Sequence, residues 1–344
     1  MRLTAIDLFA GAGGLSLGLV RAGFDVKVAV DSWQLAVDTY TKNFQHPAIC
    51  MDLSGLSGEK LLKYAGVSSA DLDLLAGGPP CQGFSLQRIG PDTDKRNQLV
   101  LDFARLITEA KPRVFLMENV TGLLGHRGKE LFSEFRTVLD RGGYITAYKV
   151  VNAADFGVPQ NRRRVLVLGW RHEDSSLTLP LPARGVRHLT VMGAIGDLAT
   201  PVPAGVSTTG DPLHTESRLS DLNRRRIELI PPGGGFEDLP MELRVACHRV
   251  GAAKIGHRGV YGRLHPDEPS ATITARFDSF TRGRFGHPYQ NRNLTLREGA
   301  RLQSFPDDFI FLGNREEIAA QIGNAVPPVL AEAVARGIAE QLGQ

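Results

Sequence analysis

Short apolar runs alternate with longer amphipathic stretches through the first half of the chain. Residues 3–9, 26–30, 49–52, 72–76 and 114–117 have the length and apolar character of buried strands. Residues 14–22, 33–43 and 99–109 instead repeat apolar positions at helical spacing. Two further strand-like runs, 144–151 and 165–170, close the series. Strand–helix alternation of this kind predicts an α/β fold: a parallel-rich sheet with helices on both faces.

The pattern changes near residue 179. Leu179-Pro180-Leu181-Pro182 reads as a linker, and the stretch to about residue 306 carries Pro231-Pro232-Gly233-Gly234-Gly235 and little helical periodicity. Helical spacing returns from about residue 316, with Pro327-Pro328 ahead of 329–342. The expected organisation is a large domain over 1–182, a smaller inserted domain over 183–312, and a C-terminal segment, 313–344, that returns to the large domain.

Composition narrows the class only slightly. The 344 residues are 42% hydrophobic and 22% charged, ordinary for a soluble globular chain. The net charge is +3, which neither announces nor excludes a nucleic-acid partner. Cys50, Cys81 and Cys247 are widely spaced and form no C-x-x-C pair, so neither a disulfide framework nor a cysteine-rich zinc site is expected. Cys247-His248 with His257 offers too few partners for a usual zinc site. No signal peptide and no membrane-spanning run is read, and the expected location is the reducing cytoplasm.

Two loops carry candidate chemistry. Phe9-Ala10-Gly11-Ala12-Gly13-Gly14 lies between the first strand and its helix, where glycines let a ligand approach backbone amides. Asp31, ending the second strand, is placed to meet ribose hydroxyls, and Asp52, ending the third, to approach an adenine amino group. Either could instead be a helix N-cap, and for Asp52 that reading is a serious competitor. Gly77-Gly78-Pro79-Pro80-Cys81-Gln82 follows the fourth strand, and a loop stiffened by two prolines is a poor place to hide a core cysteine. Glu118, ending the next strand, should face the same crevice.

Together these residues resemble the cytosine-5 DNA methyltransferase family over nearly everything outside 183–290. Phe9, Gly11 and Gly13 match its F-x-G-x-G; Pro80-Cys81-Gln82 match its P-P-C-Q; Glu118-Asn119-Val120 match its E-N-V. Gln160-Asn161-Arg162-Arg163-Arg164 fit Q-x-R-x-R, residues 301–306 fit R-L-Q-x-F-P, and Gly323-Asn324-Ala325-Val326 fit G-N-x-V. Six motifs in the family's order exclude chance agreement.

The resemblance implies a Rossmann-like, S-adenosylmethionine-dependent methyltransferase fold with an inserted target-recognition domain. It implies a restriction-modification type of activity on double-stranded DNA, performed without metal by a monomer associated with the nucleoid. Cys81 would be the nucleophile and Glu118 the acid. Arg162 and Arg164 would support the ring, since alternation along a strand sends them to one face. Phe9, Gly11, Gly13, Gly14, Asp31, Asp52 and Asn324 would line the cofactor site. Gln82, Ser85 and Gln87, in the loop after the nucleophile, would approach DNA.

The smaller domain adds charge. Residues 242–298 hold ten basic side chains, nine of them arginine, against five acidic ones. Arginine suits phosphates and guanine edges, so Arg263 and Arg276 are expected to reach DNA. Ser270-Ala271-Thr272-Ile273-Thr274 resembles the family's threonine-containing recognition segment, which singles out Thr272. Three rival readings remain distinguishable. A transfer-RNA methyltransferase of the same family would carry C-F-T where this chain has Cys247-His248-Arg249. A non-catalytic DNA-binding relative would not need Cys81, Glu118 and Arg164 intact. A nicotinamide oxidoreductase fits the sheet pattern but explains neither Pro80-Cys81-Gln82 nor the arginines.

Overall fold

The computed structural model describes residues 2–80, 98–172, 177–182, 185, 187–207, 209–249 and 259–343. Its first half follows the expected alternation. The elements are β1 (Thr4–Leu8), α1 (Gly14–Arg21), β2 (Asp25–Asp31), α2 (Gln34–Asn43), β3 (Ala48–Cys50) and α3 (Gly58–Ala65). They continue as β4 (Leu74–Gly77), α4 (Gln98–Ala110), β5 (Val114–Val120), α5 (Lys129–Arg141), β6 (Tyr144–Asn152) and β7 (Arg163–Arg171). Beyond the sheet lie α6 (Val191–Ile195), α7 (Asp221–Leu229), α8 (Leu296–Leu302), α9 (Arg315–Asn324) and α10 (Pro328–Gln341).

The seven strands form one sheet in the order β3-β2-β1-β4-β5-β7-β6. The first five run parallel, and β7 is antiparallel to both β5 and β6. Order reverses between β1 and β4, so the chain winds outward in both directions from the middle of the sheet. Right-handed crossovers then set α1 and α2 on one face and α3 and α4 on the other. Strands covered on both faces are mostly apolar: Ile6, Leu8, Val28, Val30, Leu75, Phe115 and Met117 lie in one buried cluster with Phe103, Ile107 and Phe135.

The chain divides into two compact units. The first comprises Met1–Phe156, Arg163–Val186 and Ala325–Gln344; the second comprises Gly157–Arg162 and Arg187–Asn324. The second unit therefore extends past the expected boundary at residue 312, because α9 packs on α8. It also takes in Gly157–Arg162, ahead of β7. Among its described residues, pairing outside helices is limited to isolated bridges such as Gln160 with Ser270 and Arg263 with Gly286.

Residues Arg315–Gln341 taken together have the length and apolarity of a membrane span by composition alone. Pro327 and Pro328 break the stretch into α9 and α10, of 10 and 14 residues, and most of it is buried. Neither helix alone reaches the roughly 20 residues a bilayer needs.

One buried acid stands out within the sheet. Asp7, in the middle of β1, is fully buried; its Oδ2 accepts the Ser16 hydroxyl at 2.6 Å, while Oδ1 lacks a partner. Tyr40 donates to Ser16 Oγ at 2.7 Å and also contacts His46 Nε2. Burial pushes Asp7 up to about 7 from an ordinary 3.8; the Ser16 hydrogen bond opposes this and Asp31 adds to it. Between those values the folded chain keeps a proton that the unfolded chain has released. Stability present below pH 4 is thus lost as pH rises through 7. Asp7→Asn, which keeps an acceptor for Ser16, should be more stable than the parent at pH 8. At 1.36 kcal/mol per unit the gain is on the order of 4 kcal/mol and should vanish near pH 4. Urea unfolding at several pH values measures it, and a pH-independent difference would remove Asp7 as the titrating group.

Candidate active site

In an open α/β sheet, ligands sit at the carboxyl ends of the strands where strand order reverses. Here that point is the space beyond β1 and β4, and the two glycine-containing loops noted in the sequence leave from those two ends.

After β1 the chain turns tightly. Phe9 has φ of 59°, an unusual value for a non-glycine residue, and its ring packs edge-on to Phe103 with centroids 6.2 Å apart. Gly11 and Gly13 also have positive φ, 55° and 101°. A Cβ on Gly13 would lie 2.4 Å from the Phe44 ring, so no larger residue fits. A Cβ on Gly11 would meet no atom within 4 Å, so the turn opens outward there onto a space a ligand could fill. Gly13 caps α1, and Gly14 is the helix's first residue.

Asp31, at the end of β2, closes this turn. Its Oδ2 accepts the Gly11 amide and its Oδ1 the Trp33 amide, both at 2.8 Å. Burial raises its pKa, against the pull of those two amides. The carboxylate thus shapes the glycine turn as well as facing its mouth, a role the sequence did not disclose. Asp52 is exposed and accepts the Ser54 amide at 3.0 Å, which is the capping alternative noted for it. Asn324 ends α9, is exposed and belongs to the second unit.

On the other side of the reversal, β5 carries Glu118 and Asn119. Glu118 is 11% exposed at its side chain, and Arg164 Nε lies 3.0 Å from its Oε1. The pair is a diagonal one across the β5–β7 ladder, where Arg164 faces Val120 and Leu166 faces Glu118. The N–H is not aligned with Oε1, which is buried with no hydrogen bond among the described residues. A Cβ on Gly78 would lie 3.9 Å from Glu118 Oε2, so this carboxylate stands beside the stem of the loop leaving β4. Pro80 is the last described residue of that stem. Cys81, Gln82, Ser85 and Gln87 lie outside the described residues.

The two arginines expected to act together part company. Strand β7 begins at Arg163, so the alternation assumed for Arg162 does not extend to it. Arg162 is 3% exposed and donates to the carbonyls of Ile273 and Gly323 at 3.1 to 3.3 Å. It ties the second unit together, and Arg164 alone stands beside Glu118. Gln160 does similar work: Nε2 donates to Gln303 Oε1 at 2.5 Å and Oε1 accepts the Ile273 amide at 2.9 Å. Thr272 donates its hydroxyl to Asn161 O at 2.8 Å.

Arg263 corrects the reading of the charge excess. It is 3% exposed, and its guanidinium donates to the carbonyls of Ile227, Ile230, His287 and Gln290 and to Asn291 Oδ1. With its donors so engaged inside the unit, it is not presented to DNA. Arg292 and Arg297 are likewise buried against Glu298 and Asp211. Arg276 is 41% exposed but pairs with Asp278 and Glu316.

A seven-stranded sheet of this order, with a glycine turn after its first strand and a carboxylate after its second, defines a Rossmann-like methyltransferase fold. The family model for C-5 cytosine-specific DNA methylase matches residues 3–340. The chain belongs to that family and is a DNA (cytosine-5) methyltransferase. It is 39% identical to the Type II methyltransferase M1.HphI of Haemophilus parahaemolyticus over 98% of this chain and 87% of that protein. It is 36% identical to the Type II methylase M.HgiDII of Herpetosiphon aurantiacus over 97% and 94% of the two chains. Among solved structures, a prophage-encoded DNA modification methyltransferase of E. coli superposes with a TM-score of 0.74 at 29% identity. That match covers 99% of this chain and 100% of the other.

Proposed function

We propose that this chain transfers a methyl group from S-adenosylmethionine to carbon 5 of a cytosine turned out of double-stranded DNA, through a covalent adduct on Cys81. The observation that carries the reading is the Glu118–Arg164 pair beside the stem that leads to Cys81. Carbon 5 of cytosine is a poor nucleophile. Addition of the Cys81 thiolate to carbon 6 forms the S–C6 bond and moves the ring electrons toward nitrogen 3, which makes carbon 5 enamine-like and nucleophilic. Glu118 supplies a proton at nitrogen 3 and keeps the developing charge neutral. Arg164 holds the Glu118 carboxyl and offers its forked donors to the ring carbonyl. Once carbon 5 is methylated, its proton passes to solvent, the electrons expel the thiolate as the S–C6 bond breaks, and nitrogen 3 returns its proton to Glu118.

The cofactor fits the turn after β1. Gly11 leaves open space there at the start of α1, and Asp31 closes the turn through the Gly11 amide. When bound, the cofactor supplies an electrophilic methyl group on a sulfonium. The target carbon is buried within a stacked duplex, so the base must rotate out, at a cost of a few kcal/mol. A transfer-RNA substrate is not favoured, because the matching family model is that of a DNA methylase.

Expression in a bacterial host lacking its own cytosine methylation, followed by bisulfite sequencing of a resident plasmid, tests the reading. We expect protected cytosines confined to one short sequence. Methyl label recovered in transfer RNA, or in adenine, with no protected cytosines in the plasmid, would replace it.

A further inference from the structure

Between β4 and the nucleophile the chain runs Gly78-Pro79-Pro80. Neither proline has a backbone N–H, so beyond Gly78 this stem can be held by hydrogen bonds only through its carbonyls. One of those carbonyls is taken. Asn119, 3% exposed on β5, donates its Nδ2 to Pro79 O at 3.0 Å. Its Oδ1 accepts the Val120 amide at 2.8 Å, which fixes the side-chain amide in the orientation that presents its NH₂ to the stem.

We propose that Asn119 is a positioning residue for the methyl-transfer reaction: its amide holds the Pro79 carbonyl, two residues ahead of Cys81, against the strand end that carries Glu118. This rests on the reading of Cys81 and Glu118 given above. The two prolines transmit the restraint, since each fixes its own φ and restricts the residue before it. A single buried hydrogen bond matters here because neither proline has an amide with which to anchor the stem. Glu118 and Asn119 are adjacent in one strand, so their side chains leave opposite faces. One residue then aligns the proton donor while its neighbour aligns the segment bearing the nucleophile.

The probe is a duplex carrying the sequence mapped by bisulfite sequencing, with fluorine on carbon 5 of its target cytosine, mixed with the full-length enzyme and S-adenosylmethionine. The adduct trapped per protein counts competent sites, and its first-order rate reports their alignment. Asn119→Asp keeps the acceptor for Val120 but removes the donor; Asn119→Ala removes both without adding charge. In both variants we expect the rate to fall on the order of 100-fold, the effect of about 1 Å of misplacement. The adduct yield and the affinities for DNA and cofactor should stay at parental values. Rates at the parental value in both variants would overturn the proposal. So would a lower yield at an unchanged rate, which is the signature of a residue that only supports folding. Failure of the parent enzyme itself to form an adduct would instead overturn the covalent reading on which the proposal stands.

Discussion

Cys81→Ser is expected to bind the target duplex and form no covalent complex with it, while the parent enzyme arrests on a fluorinated target. The arrest follows from atom balance. After methylation the hydrogen on carbon 5 must leave as a proton before the thiolate can be expelled, and fluorine cannot leave as a cation. The parent should therefore accumulate a protein–DNA species stable on a denaturing gel, provided S-adenosylmethionine is present. Serine fails at the first step because its hydroxyl ionises far less readily than a thiol near neutrality. Methyl transfer by this variant should be undetectable against the parent. Peptide mapping decides the assignment: an adduct located at Cys50 or Cys247, or one that persists in Cys81→Ser, would falsify it.

Glu118→Gln should slow adduct formation by roughly 10² to 10⁴, the usual worth of a positioned acid or base. Glutamine matches glutamate in shape, and its carbonyl oxygen can still face Arg164, so the base should be held almost as before. What disappears is the proton delivered to nitrogen 3 as carbon 6 is attacked. DNA affinity measured without turnover should change little, which separates this variant from one that has lost its fold. A parental adduct rate in Glu118→Gln would transfer the acid's role to another group. Arg164→Ala is a poorer test, because it strips the partner from Glu118 and leaves that carboxylate in a new environment.

Much of the first unit was legible because strands covered on both faces are mostly apolar, as the buried Ile6, Leu8, Val28, Val30, Leu75 and Phe115 are. The reversed direction of β7 was not legible. Residues 144–151 and 165–170 read as strands either way, and direction depends on the connection between them. Of the site, Cys81, Glu118 and the glycine turn were read from loop chemistry at strand ends. Asn119 was missed although it stands inside Glu118-Asn119-Val120, since nothing local says that a buried amide will find a proline carbonyl 40 residues away. The arginine-rich second unit puts part of its charge to internal use, for a physical reason. A unit with little regular structure leaves many carbonyls without amide partners, and guanidinium groups fill them. Arg226 takes Leu243 O, Arg244 takes Leu239 O and Glu237 O, and Arg284 takes Gly233 O and Gly234 O. A charge count cannot tell such internal braces from groups facing DNA.

The environment of Arg263 bears on how a unit of this kind can be recombined. Its cation is lowered in pKa by burial and gathers carbonyls from residues 227–230 and 287–290, segments far apart in sequence. A chimaera that imports either segment alone from a relative inherits a buried guanidinium with part of its acceptors misplaced. Such an uncompensated charge costs about 3–5 kcal/mol. Crossover points inside 227–291 are therefore expected to be disfavoured, and a chimaera that moves this stretch whole should fold better than one that splits it.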